Sequence, residues 1–358
     1  MRRRIGIMLA ALLVAVPLAA QDKKADDKGK DRAQQFKELR TSFEKARREA
    51  IESYQNAKTD EEKKAAFEKY QNPGDQVAKV MKLIEADPKD DLAFQMLMWE
   101  LRATQLQEPK VFDLLAEHHI KNPAMVDVCR TLSAMPSPEA AKLLRKVLDD
   151  SPEKSAKGCA CYALAQLADS EANGSDPSKT AEAEKLYQRV IAEFADVKSG
   201  RPGSTLGELA KAESKLLIGK TAPDITSENL EGDKVQLKDY RGKVVVLDIW
   251  ATWCGPCRAM IPHEREMVKK LKDKPFALVS ISFDQKKDTL KKFLKEESMP
   301  WTHWWNGQEG GITKEYNIQH FPTIYVLDTK GVIRYKEIRG EQLEEAIEKL
   351  LAEGKDKE

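Results

Sequence analysis

Charge of one sign is the first thing this 358-residue chain lacks: 60 basic side chains stand against 59 acidic ones, a net charge of +1. That balance excludes the basic excess of a nucleic-acid binder and the polybasic patch of a membrane-surface protein. Long apolar runs are lacking as well. Beyond residue 20 no segment approaches the roughly 20 apolar residues that a spanning helix needs. Histidines and cysteines are scarce, five of each. His263 and His303 stand alone, and Cys159-Ala160-Cys161 lies far from Cys254-Gly255-Pro256-Cys257, so a zinc site at the latter is short of two ligands. No metal and no cofactor are expected.

What is present begins with Met1-Arg2-Arg3-Arg4, an apolar stretch from Ile5 to Val16, and small residues Leu18-Ala19-Ala20 ahead of Gln21. This pattern predicts a secretory signal over residues 1–20 and a periplasmic or otherwise extracytoplasmic location. An uncleaved anchor is the alternative, but the apolar stretch is short for a span. No cysteine follows it, which argues against lipoprotein processing. Residues 21–32 are charged and poor in core formers and read as a disordered tether.

At 358 residues the length fits two domains on a soft prior of about 150 each. Residues 33–217 are helical in pattern: Phe36, Leu39, Phe43 and Ala46 recur at three- and four-residue intervals, and Pro88, Pro109, Pro123, Pro136, Pro138 and Pro152 punctuate short segments. Helix pairs of this kind predict an all-α, solenoid-like region. Ala181 to Phe194 resembles one tetratricopeptide helix, without a regular 34-residue period. Such a region presents a groove to a protein partner or serves as a spacer or dimerisation domain.

The chemistry lies in residues 218–354, which read as an α/β domain. Val244 to Trp250 is a β-branched run suited to a strand buried on both faces. It leads through Ala251-Thr252-Trp253 into Cys254-Gly255-Pro256-Cys257, and helical spacing follows, with Met260, Ile261, Met267, Val268 and Leu271 on the apolar side. Cys254 therefore stands at a helix N-terminus, where unpaired N–H groups and the helix dipole favour a thiolate. A free thiol titrates near ~8.5, whereas the first cysteine of such motifs falls to about 3.5–7.5. Cys257, one turn on, is placed to close a disulfide with it.

With His320-Phe321-Pro322-Thr323 downstream, these residues resemble the thioredoxin-fold thiol–disulfide oxidoreductases of the TlpA/ResA, or redoxin, type. Gly219-Lys220-Thr221-Ala222-Pro223-Asp224 and Tyr240-Arg241-Gly242-Lys243 resemble further signposts of that type. The resemblance implies that Pro322 is cis and faces the cysteine pair, that Cys254 is the nucleophile and Cys257 the resolving thiol, and that Pro322 and Thr323 offer backbone contacts to a client peptide. Trp253, Gly255, Pro256 and Phe321 complete the substrate face. Asp248, six residues before Cys254, falls where thioredoxin carries a buried carboxylate and is expected to accept the Cys257 proton; a solvated strand-end Asp is the alternative. The chain departs from the pattern at Phe321, where a smaller β-branched residue is commoner.

Gly-Pro between the cysteines favours a reductase near about −270 mV over an oxidant near −120 mV. The resemblance implies a disulfide-containing client protein and a membrane thiol-electron donor of the transporter type. Two other functions stay open: a thiol peroxidase, although the Pro-x-x-x-Thr-x-x-Cys setting of peroxiredoxins is absent, and a helical-repeat binding protein with a redox-sensing clasp. Trp301, Trp304 and Trp305 are expected in the core, and Cys129, Cys159 and Cys161 are expected buried, with a Cys129 disulfide to one of the others as an alternative.

Overall fold

The computed structural model describes residues 18–71, 75–103, 108–135, 137–172, 176–307 and 311–355. The expected signal lies outside them except for residues 18–20. The helices are α1 (Leu18–Asn56), α2 (Asp60–Gln71), α3 (Gln76–Ala86), α4 (Asp91–Ala103), α5 (Pro109–His118), α6 (Met125–Ser133), α7 (Pro138–Asp150), α8 (Lys154–Ala172), α9 (Pro177–Glu193) and α10 (Leu206–Lys215). There follow β1 (Thr226–Asn229), β2 (Lys234–Gln236), β3 (Val244–Trp250), α11 (Gly255–Lys270), β4 (Phe276–Ser282), α12 (Lys287–Glu296), β5 (Thr302–Trp305), α13 (Ile312–Glu315), β6 (Thr323–Leu327), β7 (Ile333–Lys336) and α14 (Glu341–Lys355). No helix among the described residues is long and apolar enough to cross a membrane.

The tether expected over 21–32 is instead part of α1. The segment mixes good helix formers (Gln21, four lysines, Ala25, Arg32) with poor ones (four aspartates, Gly29), and its far end is fastened. Arg32 donates to the carbonyls of Leu83 and Asp87 at 3.2 and 3.1 Å and pairs with Asp90 at 2.6 Å. Further along α1, Phe36 and Phe43 pack edge-on to Trp99, with ring centroids 5.8 and 5.0 Å away.

The chain gathers into two compact units, one up to His119 and one from Ile120. The break between the units falls at 119/120, because α6–α10 pack with the sheet. Lys336 at the end of β7 pairs with Asp169 of α8 at 2.7 Å, and Asn317 donates to Glu213 of α10 at 2.7 Å. Lys220 reaches Glu184 of α9 at 2.6 Å. At the centre of this helical layer α8 is buried nearly all round, which its Ala, Gly and Cys side chains permit because neighbouring helices approach closely. A cavity of about 340 Å³ lies between this layer and the sheet, lined by Asp169, Tyr187, Glu213, His320, Thr323 and Lys336 among others.

The seven strands run in the order β2-β1-β5-β4-β3-β6-β7. β3, β4 and β5 are parallel, whereas β6 runs antiparallel to β3 and β7 antiparallel to β6. All seven residues of β3 are buried, as its unbroken apolar run requires of a central strand. Val245, Leu247 and Ile249 enter one core with Tyr316 and Tyr325. Val244 and Val246 enter the other beneath α11 and α14. The sheet thus fixes the C-terminal end of β3, and with it the loop that carries the cysteines.

Candidate active site

Cys254 is the N-cap of α11, and the Cys257 backbone N–H donates to its Sγ at 3.2 Å. The two cysteines form a disulfide with Cα atoms 5.3 Å apart. Both are buried, whereas Gly255 and Pro256 are exposed and Trp253 keeps 62% of its surface open to solvent. Pro at the first turn of a helix removes an N–H that has no partner there anyway, which leaves the Cys257 N–H aimed at sulfur.

The Phe321–Pro322 bond is cis. Phe321 packs edge-on to Trp253 at 5.6 Å and against Phe283 at 5.3 Å, and it shares an apolar cluster with both cysteines. The loop is pinned from behind: Thr323 Oγ1 donates to the His320 carbonyl at 2.7 Å, and Arg339 donates to the Pro322 carbonyl at 3.2 Å. Gly255 and Pro256 separate the two cysteines, Phe321 packs into the cluster that holds them and against Trp253, and the Thr323 side chain is buried. The result is an apolar ledge, open at Trp253, beside a sulfur pair whose first member caps a helix N-terminus.

Asp248 is 4% exposed. Its Oδ2 accepts from Ser280 Oγ at 3.0 Å, and Ser280 accepts in turn from Trp301 Nε1 at 2.9 Å. Ser280 stands opposite Asp248 in the parallel β3–β4 register, so the pair faces the same side of the sheet. Burial pushes the Asp248 carboxyl well above the usual carboxylate range, opposed in part by the Ser280 hydrogen bond and the Arg339 charge.

Two buried acids near the dithiol escaped the sequence reading. Asp284 accepts from Thr252 N and Oγ1, the latter at 2.7 Å, and from Ser282 Oγ at 2.7 Å. It thereby fixes the residue before Trp253. Nothing in the local pattern marks it out, since its partner Thr252 is 32 residues earlier. Replacing Asp284 by Ala strands both hydroxyls, and the protein is expected to lose about 2–3 kcal/mol of stability in urea titration; a loss below 0.5 kcal/mol would show the clamp to be idle. Glu264, the second, is 2% exposed on the inward face of α11. Its signal was present, seven residues after Cys257, but its charge hid it among apolar neighbours.

The remaining expectations sort by packing. Trp304 is fully buried, while Trp301 and Trp305 donate their indole N–H groups to Ser280 and to the Asp284 carbonyl. His320 is largely exposed, with Nε2 3.4 Å from Glu337, a hydrogen bond that holds its imidazole above the ordinary range. Cys129, Cys159 and Cys161 are free and buried. Cys129 and Cys159 line one cavity with Arg130, whereas Cys161 Sγ lies 3.5 Å from the Leu186 carbonyl, and burial pushes its thiol up to about 12.

Residues 218–336 match the AhpC/TSA family. The chain is 36% identical over 169 residues to the thiol-disulfide oxidoreductase ResA of Bacillus cereus, a match that spans 47% of this chain and 95% of that protein. It is 36% identical over 126 residues to the thioredoxin-like protein YneN of Bacillus subtilis, spanning 35% of this chain and 74% of that protein. Among solved structures, the thioredoxin domain of a thiol-disulfide oxidoreductase from Bacteroides vulgatus is 32% identical, covering 37% of this chain and 97% of that domain with a TM-score of 0.36.

Proposed function

From the premise that the chain belongs to the thiol-disulfide oxidoreductases of the AhpC/TSA family, we propose that it is an extracytoplasmic reductase of protein disulfides. The observation that carries this reading is the placement of Cys254 Sγ, capped by the Cys257 N–H at a helix N-terminus and bordered by the exposed Trp253–Phe321 ledge. In the reduced protein those N–H groups stabilise the Cys254 thiolate. The thiolate attacks a client disulfide, forms a mixed disulfide and expels one client thiolate. Cys257 then gives its proton to Asp248 and attacks the Cys254 sulfur. The second client thiolate leaves, and two electrons have passed from the cysteine pair to the client.

The reducing direction is supported by the Gly-Pro dipeptide, as in thioredoxin at about −270 mV. Export is supported by the basic and apolar pattern of residues 1–20. Outside the cytosol the dithiol has to be re-reduced, and a membrane thiol donor of the transporter type fills that role. A protein partner for the helical region belongs to the same proposal.

The test uses Cys257→Ala as bait in the exported compartment. The variant is expected to hold clients as mixed disulfides through Cys254, visible as adducts on non-reducing gels that dithiothreitol releases. Absence of such adducts, with Cys254 alkylatable and the protein folded, counts against a reductase. Peroxide consumption dependent on Cys254 would move the reading to a thiol peroxidase.

A further inference from the structure

Two carboxyl groups, not one, lie in the layer beneath the dithiol. Residues along β3 alternate between faces: Val245, Leu247 and Ile249 pack on one side, and Val244, Val246 and Trp250 on the other. Asp248 therefore points to the second side, the one that α11 covers. The inward stripe of α11 is Cys257, Ile261, Glu264 and Met267, at helical spacing. Ile261 packs in the cluster of Trp250, and Met267 in the cluster of Val246. Glu264 lies between Ile261 and Met267 on the helix as Asp248 lies between Trp250 and Val246 on the strand, so the two carboxyls stand on facing sides of the β3–α11 interface, and the Asp248 charge acts on Glu264.

Both acids are buried, at 4% and 2% exposure, and among the described residues neither joins a salt bridge. Two carboxylates so placed cannot both ionise near neutral pH without a large cost. Burial, and after it the Asp248 charge, pushes Glu264 far above the carboxylate range. Asp248 meanwhile has one oxygen with a partner, Oδ2, and one without, Oδ1. The other groups around the pair are accounted for. On β4, Ser280 donates to Asp248; Arg339 and Glu337 beyond β7 act on it with opposite sign; and His263 of α11 is turned to Glu344 of α14 at 3.3 Å.

We infer that Glu264 is a positioning residue: its protonated carboxyl donates to the partnerless Oδ1 of Asp248, so the two acids share one proton and Asp248 stands ionised, ready to receive the proton of Cys257. This rests on the proposed role of Asp248. It adds a donor on the same helix as the resolving thiol, two turns further on.

The experiment mixes reduced protein with excess dithio-bis-nitrobenzoate in a stopped-flow instrument. Attack by Cys254 releases the first coloured thiolate and resolution by Cys257 the second, so the second phase alone reads the proton step. Its rate is followed from pH 5 to pH 10. Glu264→Leu leaves Oδ1 without a donor, disfavours the Asp248 carboxylate and is expected to move the acid limb of the second phase up by about one pH unit or more. Glu264→Gln, whose amide donates in the same place, keeps the wild-type limb. An unmoved or downward limb in Glu264→Leu, or an equal shift in both variants, overturns the inference. Asp248→Asn separates the two claims: loss of the acid limb there, with no effect of Glu264→Leu, sinks the inference alone, and an intact limb sinks the Asp248 role and the inference together.

Discussion

Cys254→Ser is expected to reduce insulin at least about 10³-fold more slowly than the wild type with dithiothreitol as the electron source. The reason is positional as much as chemical. The thiolate is the attacking species, and Cys254 alone has both the helix-end N–H groups and the open ledge. Cys257 shares the disulfide but belongs to the inward stripe of α11 with Ile261, Glu264 and Met267, and is not expected to reach a protein client in its place. Serine keeps the cap, since its hydroxyl accepts from the Cys257 N–H as sulfur does, so the fold survives and the loss is one of chemistry. Insulin turbidity measured for both proteins decides it. Activity in the variant within tenfold of the wild type would move the nucleophile elsewhere.

The second large effect concerns stability and has a definite sign. Asp248 titrates above its ordinary value in the folded protein because burial disfavours its charge, whereas in the unfolded chain it titrates near ~3.9. Between those values the unfolded chain has released the proton and the folded protein still holds it. Stability contributed by this group is therefore present at acid pH and lost as pH rises through the window. Asn keeps an oxygen for Ser280 and cannot ionise. Asp248→Asn is accordingly expected to match the wild type near pH 4 and to exceed it by about 2–4 kcal/mol at pH 8. Urea titration of the oxidised proteins at the two pH values measures this. A gain that does not change with pH would show that the carboxyl is solvated in the native state. The same variant is expected to be slower in resolution, so stability and turnover are expected to move in opposite directions at one residue.

The legible part of the fold followed from short-range pattern. The β-branched run of β3, the Gly-Pro turn and the α11 stripe placed the cysteines on a strand-to-helix joint, and that joint is present. The turns between β1 and β2 and between β6 and β7 contain Gly232 and Gly331, both with positive φ, since glycine tolerates that backbone and most residues do not. That 21–32 continues α1 was not legible from composition, because the segment is held by a distant anchor: Arg32 reaches the Leu83 carbonyl, 51 residues away. The division at 119/120 was not legible either. It depends on contacts such as Lys336 with Asp169, which join residues 167 apart.

By itself the sequence determined the chemistry: which residues carry sulfur, which of them caps a helix, and which strand delivers it, because each of these is set by neighbours within a few positions. The tertiary structure decided the surroundings of that chemistry. Whether Asp248 is dry, whether Glu264 faces it, and whether Asp284 holds Thr252 depend on which elements close over β3, and burial is a property of the packed layer that no local spacing contains.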